Sequence, residues 1–511
     1  MLLLLNSINQ TMKSILSKSI LILLTFLVSC KKDDGKIEFA FLQLNDVYEI
    51  APIQGGKIGG MARVANLHKE LLQENKNTML FMAGDFLSPS VLGTIKLDGQ
   101  RIRGKQMVDV MNAMNFDLVA FGNHEFDLPQ KDLQKRLNES NFPWISANVK
   151  LKTKENSILF YKEKEERQIP VHETFIKEFS DADGTTIKVG FISVCIPSNP
   201  KEFVEYGNMF VKARASYAVL KDKVDVVFGL THVKIANDKR IAKLIPDLPL
   251  IMGGHEHTNT YEKVGNVIIA KADANAKTAY IHRISFDKKT KRAIVKSELK
   301  EINDSIQSDK NVKKVVDKWQ NILTSKIKDL ISNPNEVIYN TEVPLDGRDT
   351  PIRSLQTNLG QIITKSMSFA YTDKVDCAIV NGGSIRIDDQ LIGAITPVDI
   401  FRVLPYGGDI VKVEIKGRLL KRVLDYGVLA AGTGAYLHRY NANKVGEQWM
   451  IKNKKIDFNK TYTVAFSDYL LKGFDIPFLS DKNKEVFSVY HPKKNELAVD
   501  IRKAVVAYLK K

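Results

Sequence analysis

Five apolar, strand-like runs in the first half of this chain each end directly in a short polar cluster. The runs cover residues 37–44, 79–83, 118–121, 224–230 and 248–252, and helical stretches separate them. The clusters that follow them are Asn45-Asp46, Gly84-Asp85, Gly122-Asn123-His124-Glu125, Thr231-His232 and Gly254-His255-Glu256-His257. Such runs predict buried strands. The polar side chains should therefore gather along one edge of a sheet, although distant segments supply them.

The composition of these clusters indicates a metal site. Four of the nine histidines of the chain lie in them, beside two aspartates and two asparagines. One histidine alone is more often a packed core or surface residue, whereas four in one repeated context favour a common role. Aspartate, asparagine and histidine suit manganese, zinc, iron or cobalt, and the clusters contain no cysteine for a thiolate site. The residues concerned are Asp46, Asp85, Asn123, His124, His232, His255 and His257.

The clusters resemble the motifs of the calcineurin-like binuclear metallophosphoesterases, in the branch of secreted 5'-nucleotidases and UDP-sugar hydrolases. That family carries Asp-x-His, Gly-Asp, Gly-Asn-His-Glu, Thr-His and Gly-His-x-His/Gln. This chain has Asp46-Val47-Tyr48 for the first motif and matches the other four in type and order. The resemblance covers nearly the whole chain after residue 36. It implies an α/β protein with an N-terminal four-layer α/β/β/α metallophosphoesterase sandwich, followed by a smaller α+β substrate-specificity domain.

The same resemblance suggests how the chain is divided. We predict a lipoprotein-type signal peptide, a tether, a metallophosphoesterase domain, a linker helix and a C-terminal 5'-nucleotidase substrate-binding domain. Their ranges are 1–29, 30–36, 37–305, 306–340 and 341–511. Within the linker, apolar residues recur at helical spacing over residues 311–332 until Asn333-Pro334 ends the run. Because family members rotate one domain against the other, we expect a hinge near the end of this helix.

Carried over by position, the resemblance implies two divalent metal ions, of manganese, zinc, cobalt or iron. Asp85 would bridge them. The other implied ligands are Asn123, His232 and His255 for one ion, and Asp46 and His257 for the second. Tyr48 stands where the family usually has a histidine ligand. It could bind as a phenolate, leave its place to a water, weaken the second ion, or simply pack over the site.

The resemblance also gives His124 and Asp127 catalytic roles. Two cations about 3.5 to 4 Å apart can lower the pKa of a bridging water and polarise a phosphoryl group for in-line attack. His124 would lie beside the phosphate and not on a metal, and Asp127 would orient its imidazole. Asp127 could also cap the helix that follows.

The second half of the chain resembles the C-terminal domain of the 5'-nucleotidases. The segments that carry the likeness are Asn358-Leu359-Gly360, Asn381-Gly382-Gly383-Ser384-Ile385-Arg386, Pro405-Tyr406-Gly407 and Gly473-Phe474-Asp475. In that family this domain grips the nucleoside. Arginines bind anionic groups through a planar fork, and aromatic rings stack on bases. The implied substrate-binding residues are Arg353, Asn381, Arg386, Tyr406, Tyr469 and Asp475.

Three departures from the family pattern concern the substrate. Ser384 and Phe474 each replace a glycine, and a second family arginine upstream of Arg353 has no clear counterpart, although Arg348 is close. Phe474 could narrow the nucleoside pocket or move its loop. Alternatively, Phe474 and the two tyrosines could belong to ordinary core packing.

The amino terminus predicts a location. Lys13 and Lys18 precede an apolar run over residues 20–28, and Leu27-Val28-Ser29-Cys30 resembles a bacterial lipoprotein box. The run is shorter than the ~20 residues of a membrane-spanning helix. Lys31-Lys32-Asp33-Asp34 could be a surface-export signal or a solvated tether. We therefore expect a lipid on Cys30 that anchors the protein to a membrane, in the periplasm or at the surface of a bacterial cell envelope.

Composition agrees with this interpretation. The remaining cysteines, Cys195 and Cys377, lie in apolar runs, which predicts free buried thiols. The net charge of +16 comes from scattered lysines without interleaved aromatics, so we predict no nucleic-acid partner, and the charge could attract anionic substrates. The favoured function is metal-dependent hydrolysis of nucleoside 5'-monophosphates. Alternatives are a UDP-sugar, 2',3'-cyclic nucleotide or sulfur-ester hydrolase, or a nucleotide-binding lipoprotein with a degraded metal site.

Overall fold

The computed structural model describes residues 34–198 and 200–511. The predicted signal peptide and Cys30 lie outside the described residues. Within those ranges, none of the helices combines the length and the apolar content that crossing a bilayer requires.

The first of two six-stranded sheets is built around strand Lys36–Leu44. This strand pairs antiparallel with Thr278–Asp287 and parallel with Thr78–Met82. The parallel pairing continues to the far edge of the sheet. In order, the sheet contains Arg292–Glu301, Thr278–Asp287, Lys36–Leu44, Thr78–Met82, Leu118–Ala120 and Trp144–Ile145. Four strands therefore bring their carboxyl ends to one edge.

The second six-stranded sheet also combines a group of parallel strands with antiparallel pairs. Its central strands Val226–His232 and Leu250–Gly254 run parallel, with His232 opposite Gly254. In order, the sheet contains Thr174–Ser180, Thr186–Ile192, Val226–His232, Leu250–Gly254, Val267–Lys271 and Thr260–Val264. All five strands predicted before the polar clusters are present, and each bound falls within two residues of the prediction.

The two sheets pack face to face on an aromatic core. The Phe41 ring lies 5.0 Å from that of Phe81 and 5.1 Å from that of Phe228, which belongs to the opposite sheet. Helices cover both outer faces. They are Met61–Glu74, Lys105–Met114, Gln130–Glu139 and Lys310–Lys328 on the first sheet, and Met209–Leu220 and Ile235–Leu244 on the second. The predicted four-layer sandwich is confirmed, and we call Lys36–Lys328 the N-terminal domain.

Helix Lys310–Lys328 belongs to this sandwich through its apolar face. The Asp309 carboxylate caps it by accepting hydrogen bonds from the Asn311 and Val312 backbone. Trp319 is buried against the N-terminal domain and donates a hydrogen bond of 3.2 Å to Asp109. The helix stops at Lys328, four residues before the predicted end at residue 332, although the Ile331 backbone still donates to the Ile327 carbonyl over 2.8 Å.

The C-terminal domain, from Tyr339 onward, is built on a five-stranded mixed sheet. In order it contains Leu437–Tyr440, Cys377–Asn381, Thr461–Ser467, Ile410–Lys416 and Val486–Tyr490. Helices Asn358–Phe369 and Ile501–Leu509 pack on one face, and Gly417–Leu429 packs on the other. The predicted smaller α+β domain is thus present. Cys195 and Cys377 are free and buried, as predicted.

Short elements complete the two domains. The remaining strands are Lys96–Leu97, Gln100–Arg101, Val149–Lys152, Ser157–Ile158, Tyr161–Lys164, Arg167–Pro170, Val204–Tyr206, Tyr339–Asp346, Gln390–Ile395, Ala442–Val445, Gln448–Ile451 and Lys454–Lys455. The remaining helices are Val91–Thr94, Asp349–Ile352 and Pro397–Val403, with 3-10 turns at His124–Asp127, Gly382–Ser384, Asp468–Leu471 and Leu497–Val499. Strands Tyr339–Asp346 and Gln390–Ile395 pair with each other beside the larger sheet.

Candidate active site

The predicted metal ligands meet where the parallel strands of two sheets end, and not along one edge of a single sheet as predicted. Asp46 and Asp85 follow strands of the first sheet, whereas His232 and His255 come from the ends of strands in the second. Asp46, Asp85 and His255 follow their strands in left-handed backbone conformation, with φ of 53°, 58° and 87°. Such a conformation costs a non-glycine residue about 1 to 3 kcal/mol and persists where the surrounding structure enforces it. Three strained residues that meet at the ends of the two sheets therefore mark a functional site.

Glycines allow the turns that carry these ligands to pack against each other. Gly84 has a φ of 83°, and a Cβ there would lie 2.6 Å from the Gly122 nitrogen. A Cβ on Gly122 would collide with Asp85. Both positions need glycine, because the backbones of the Gly-Asp and Gly-Asn turns are in contact.

One group of ligands is assembled around Asp85. Ligand atoms of Asp85, His232 and His255 all lie within 4.8 Å of one another. Asp85 Oδ2 and His232 Nε2 are 3.0 Å apart. His232 donates from Nδ1 to the Ala83 carbonyl over 2.7 Å, which leaves Nε2 as the ligand atom.

A second group lies around His257. Its Nε2 atom is 3.4 Å from Asp46 Oδ1 and 3.1 Å from the Tyr48 hydroxyl. Burial lowers the pKa of His257, but the carboxylates of Asp388 and Asp46 outweigh it and raise the pKa to about 10. Burial and the carboxylates of Asp85 and Asp46 raise the pKa of Tyr48, which favours the neutral phenol. A cation here must displace the proton on His257 Nε2.

The donor set fits divalent metal ions. Among the described residues, four buried ligand atoms have no polar partner except another ligand of the cluster: Asp46 Oδ1, Asp85 Oδ2, Asn123 Oδ1 and His232 Nε2. Unpaired buried polar atoms cost about 1 to 3 kcal/mol each, and a bound cation removes that cost. Carboxylate, amide and imidazole groups are ligands for such ions.

His124 and Asp127 form a hydrogen-bonded pair beside the ligands. His124 Nδ1 lies 2.7 Å from Asp127 Oδ2, and the His124 backbone donates to Asp85 Oδ1 over 2.7 Å. Burial lowers the pKa of His124, but Asp85 and Asp127 outweigh it and raise the pKa to about 9. Arg386 reaches the same carboxylate from the C-terminal domain, with Nη2 3.6 Å from Asp127 Oδ2. Asp127 does not cap the following helix, since Pro129 precedes its first residue.

Glu125 supports the site in a way that the sequence analysis missed. Its buried carboxylate accepts hydrogen bonds from four backbone N–H groups, those of Gly122, Asp85, Phe86 and Leu87, over 2.6 to 3.1 Å. Burial and the Asp85 charge raise the pKa of Glu125 to about 7. The glutamate in the Gly-Asn-His-Glu cluster was the available signal, but three of its donors come from a turn about 40 residues earlier.

Lys271 supports the second sheet and was also missed. Its fully buried ammonium donates to the Gly254 carbonyl over 2.7 Å and pairs with Asp238 over 2.8 Å. It also pairs with Glu256. Burial lowers the pKa of Lys271, but the two carboxylates raise it. The network fixes the turn that carries His255, and an apolar strand end containing one lysine gives no sequence signal for it.

Three predicted substrate residues come together in the C-terminal domain. Asn381 donates to Asp475 over 2.7 Å, and the Tyr469 hydroxyl donates to the same carboxylate over 3.2 Å. Ser384, which replaces a family glycine, donates to the Asn381 side-chain oxygen over 2.6 Å. Arg353 pairs with Asp349 over 2.6 Å. Arg386 is placed apart from this group, beside Asp127.

The aromatic residues of the predicted pocket are not core residues. Tyr406, Tyr469 and Phe474 are 60%, 36% and 73% exposed, so the core-packing alternative is wrong. The Tyr469 and Phe474 rings lie 6.0 Å apart. Tyr406 instead lines a cavity of about 170 Å³ between the domains, next to Asp127.

Comparison with known proteins identifies the family of this chain. Residues 39–259 match the model of the calcineurin-like phosphoesterases, and residues 337–480 match that of the 5'-nucleotidase C-terminal domain. The chain belongs to the calcineurin-like phosphoesterases of the 5'-nucleotidase type. The predicted family is confirmed.

Relatives of this phosphoesterase include several 5'-nucleotidases. The human 5'-nucleotidase is 28% identical over 420 residues, which cover 74% of this chain and 68% of the relative. A snake venom 5'-nucleotidase from Crotalus adamanteus is 27% identical over 78% of this chain and 72% of its own length. The 5'-nucleotidase precursor of Thermus thermophilus shares the fold, with a TM-score of 0.65 at 21% identity over 93% of this chain and 96% of its own.

Proposed function

We propose that this phosphoesterase hydrolyses nucleoside 5'-monophosphates with two divalent metal ions, of manganese, zinc, cobalt or iron. One observation carries the proposal: buried ligand atoms with no polar partner outside the cluster converge beside the His124–Asp127 pair. Asp85 would bridge the ions. The other residues that would hold them are Asn123, His232 and His255 for one, and Asp46 and His257 for the second. When bound, such ions activate a water for attack on phosphorus.

The neighbouring side chains then act on the substrate. Asp127 occupies Nδ1 of His124, so that Nε2 is the atom available to the phosphate or the departing oxygen. Arg386 brings a fixed positive charge from the other domain to within 3.6 Å of Asp127, and its planar fork suits phosphate oxygens. Together they hold the negative charge that grows during displacement.

The C-terminal residues supply the nucleoside side of the proposal. Asn381 and Asp475 offer hydrogen-bonding groups, and the exposed rings of Tyr406 and Tyr469 offer faces on which a base can stack. Arg353 adds a cation next to this group. The relatives named as 5'-nucleotidases support the same substrate class.

The cellular location is part of the proposal. The lipoprotein box at Cys30 supports a lipid-anchored protein of a bacterial cell envelope, periplasmic or at the cell surface, with the predicted division into residues 1–29, 30–36, 37–305, 306–340 and 341–511. Labelling of the full chain with a fatty-acid analogue tests it. Label should enter the wild type and not Cys30→Ser.

The decisive experiment is phosphate release from 5'-AMP by a soluble form that starts after Cys30. We expect release with added Mn²⁺, none with chelator, and none from the Asp85→Asn variant. UDP-glucose, 2',3'-cyclic AMP and a sulfur ester belong in the same assay. Hydrolysis of one of these without hydrolysis of 5'-AMP would replace the nucleotidase proposal, and Mn²⁺ binding without any hydrolysis would favour a nucleotide-binding protein.

A further inference from the structure

The two metal positions are supported from different parts of the molecule. At the position around Asp85, His232 is held by the Ala83 carbonyl, which belongs to the N-terminal domain. At the other position, His257 Nδ1 lies 2.6 Å from the backbone carbonyl of Asp388, which belongs to the C-terminal domain. The hydrogen bond that orients one metal ligand, His257, is therefore made across the domain interface.

That carbonyl decides which nitrogen of His257 can bind a metal. A carbonyl only accepts hydrogen bonds, so Nδ1 carries a hydrogen in either charge state of the ring. Nε2 is left as the ligand atom, and it is the atom 3.4 Å from Asp46 Oδ1. Partners of this kind fix the tautomer and the orientation of a metal-binding histidine.

The next residue, Asp389, connects the C-terminal domain to the other side of the same position. Asn275 donates from its backbone to the Asp46 carbonyl over 2.9 Å and accepts from the Tyr48 backbone over 3.1 Å. Its side-chain amide lies 3.4 Å from Asp389 Oδ2. Lys277 pairs with the same carboxylate over 2.8 and 3.0 Å. Asp46, Tyr48 and His257 thus all depend on contacts with residues 388–389.

A second ion pair crosses the interface at the residue after Tyr48. Arg402 donates to Glu49 over 3.1 Å and to Asp399 over 3.0 Å, and all three side chains are buried. Breaking such a buried pair leaves an uncompensated charge, so the domains separate only when these contacts open to water.

The domains must nevertheless separate during turnover. The cavities that adjoin the site hold about 10 Å³ beside Tyr48 and Arg386 and about 170 Å³ beside Asp127. Two larger cavities between the domains, of about 280 and 350 Å³, are lined by none of the metal ligands and by neither His124 nor Asp127. A drug-sized ligand occupies a pocket of about 300 to 1,000 Å³. A nucleotide can therefore enter or leave only when the interface opens, and opening removes the Asp388 carbonyl from His257.

We propose that Asp388 is a positioning residue for His257, so that domain closure and occupancy of the metal position at Asp46 and His257 strengthen each other. The coupling is reciprocal by thermodynamic necessity: if closure tightens this metal, the metal favours closure by the same factor. The position around Asp85, His232 and His255 keeps its affinity in both arrangements. The inference rests on the binding of two metal ions in the proposed function.

The test compares metal affinity and shape in three versions of the soluble chain that starts after Cys30. Asp389→Lys places a like charge against Lys277 and opens the interface. Arg283→Met is the matched control, since it removes a charge pair with Glu74 and Glu298 inside the N-terminal domain. Mn²⁺ binding is followed by electron paramagnetic resonance, and the radius of gyration by X-ray scattering with and without Mn²⁺.

In Asp389→Lys we expect one Mn²⁺ affinity to fall by about 10- to 100-fold, the usual cost of losing an outer-shell partner, while the other stays unchanged. The radius of gyration should rise without metal and shrink towards the wild-type value at saturating Mn²⁺. Arg283→Met should behave as wild type. If Asp389→Lys does not fold, Lys277→Met is judged by the same criteria.

Three results in Asp389→Lys would overturn the coupling. They are unchanged Mn²⁺ affinities, equal weakening of both affinities, and a radius of gyration that does not change when Mn²⁺ is added. These outcomes are distinct from failure of the proposed function. If the wild type binds two Mn²⁺ ions and hydrolyses 5'-AMP, but the Mn²⁺ affinities do not change when the interface is altered, the coupling is wrong and the proposed function stands. A wild type that binds no metal removes both proposals.

Discussion

The metal site and the nucleoside pocket are built in opposite ways. Asp46, Asp85 and His232 are buried at the ends of strands, and neighbouring backbone groups fix their orientation. Tyr406 and Phe474 are exposed on loops of the other domain. Groups held on rigid elements keep the precise geometry that catalysis needs, whereas loop residues tolerate substitution. We therefore expect changes in the metal site to abolish chemistry and changes in the pocket to alter substrate affinity.

Asp85→Asn should have the largest effect. The substitution removes the charge at the centre of the ligand cluster, so both ions should be lost, along with water activation and phosphoryl polarisation. The fall in kcat should exceed about 10⁴-fold, more than one general acid contributes. Metal content by mass spectrometry and phosphate release together check this. A variant that keeps two metals and full activity would contradict the assignment of Asp85.

His124→Asn should separate catalysis from metal binding within the same cluster. Asparagine keeps the backbone N–H that donates to Asp85 but cannot carry a proton, so kcat should fall about 10²- to 10⁴-fold with metal content unchanged. Asp127→Asn is the matched variant, with a smaller loss because it only weakens the orientation of His124. Loss of metal in His124→Asn would instead make His124 a ligand.

The same contrast explains what the sequence could predict. Neighbouring parallel strands end at one edge, so the alternation of apolar runs and polar clusters was enough to bring Asp46 and Asp85 together. Their meeting with His232 depends on how the second sheet packs against the first. The role of Glu125 depends on backbone donors in a distant turn. Asp388 acts through its carbonyl across a domain interface, and no residue type or spacing encodes such a contact.

The solvent exposure of the pocket residues could not be predicted from the sequence either. A tyrosine just after a strand suits a core or an open surface. Which of the two Tyr469 occupies depends on how residues 468–475 fold against Asn381, which donates to Asp475. Tyr48 shows the same limit. Its motif position placed it at the site, whereas its contact with His257 Nε2 follows from packing of two separate strand ends.

Tyr469→Ala should test the pocket side of the comparison. Loss of a stacking ring costs about 1 to 3 kcal/mol, so KM for 5'-AMP should rise about 5- to 150-fold while kcat changes little. Tyr469→Phe keeps the ring and loses only the hydrogen bond to Asp475. Equal losses in both variants would show that the hydroxyl, and not the ring, binds the nucleoside.

Phe474→Ala should have the smallest effect. It tests the role of the side chain that replaces the family glycine. The ring is exposed, and Tyr469 is its nearest aromatic neighbour among the described residues, at 6.0 Å. If Phe474 extends the aromatic surface offered to the base, its loss should raise KM for 5'-AMP about 2- to 12-fold, the value of one aromatic contact. Phe487→Ala, at another exposed phenylalanine, should leave KM unchanged. A lower KM in Phe474→Ala would mean that the side chain narrows the pocket, and specificity would then come from exclusion rather than from stacking.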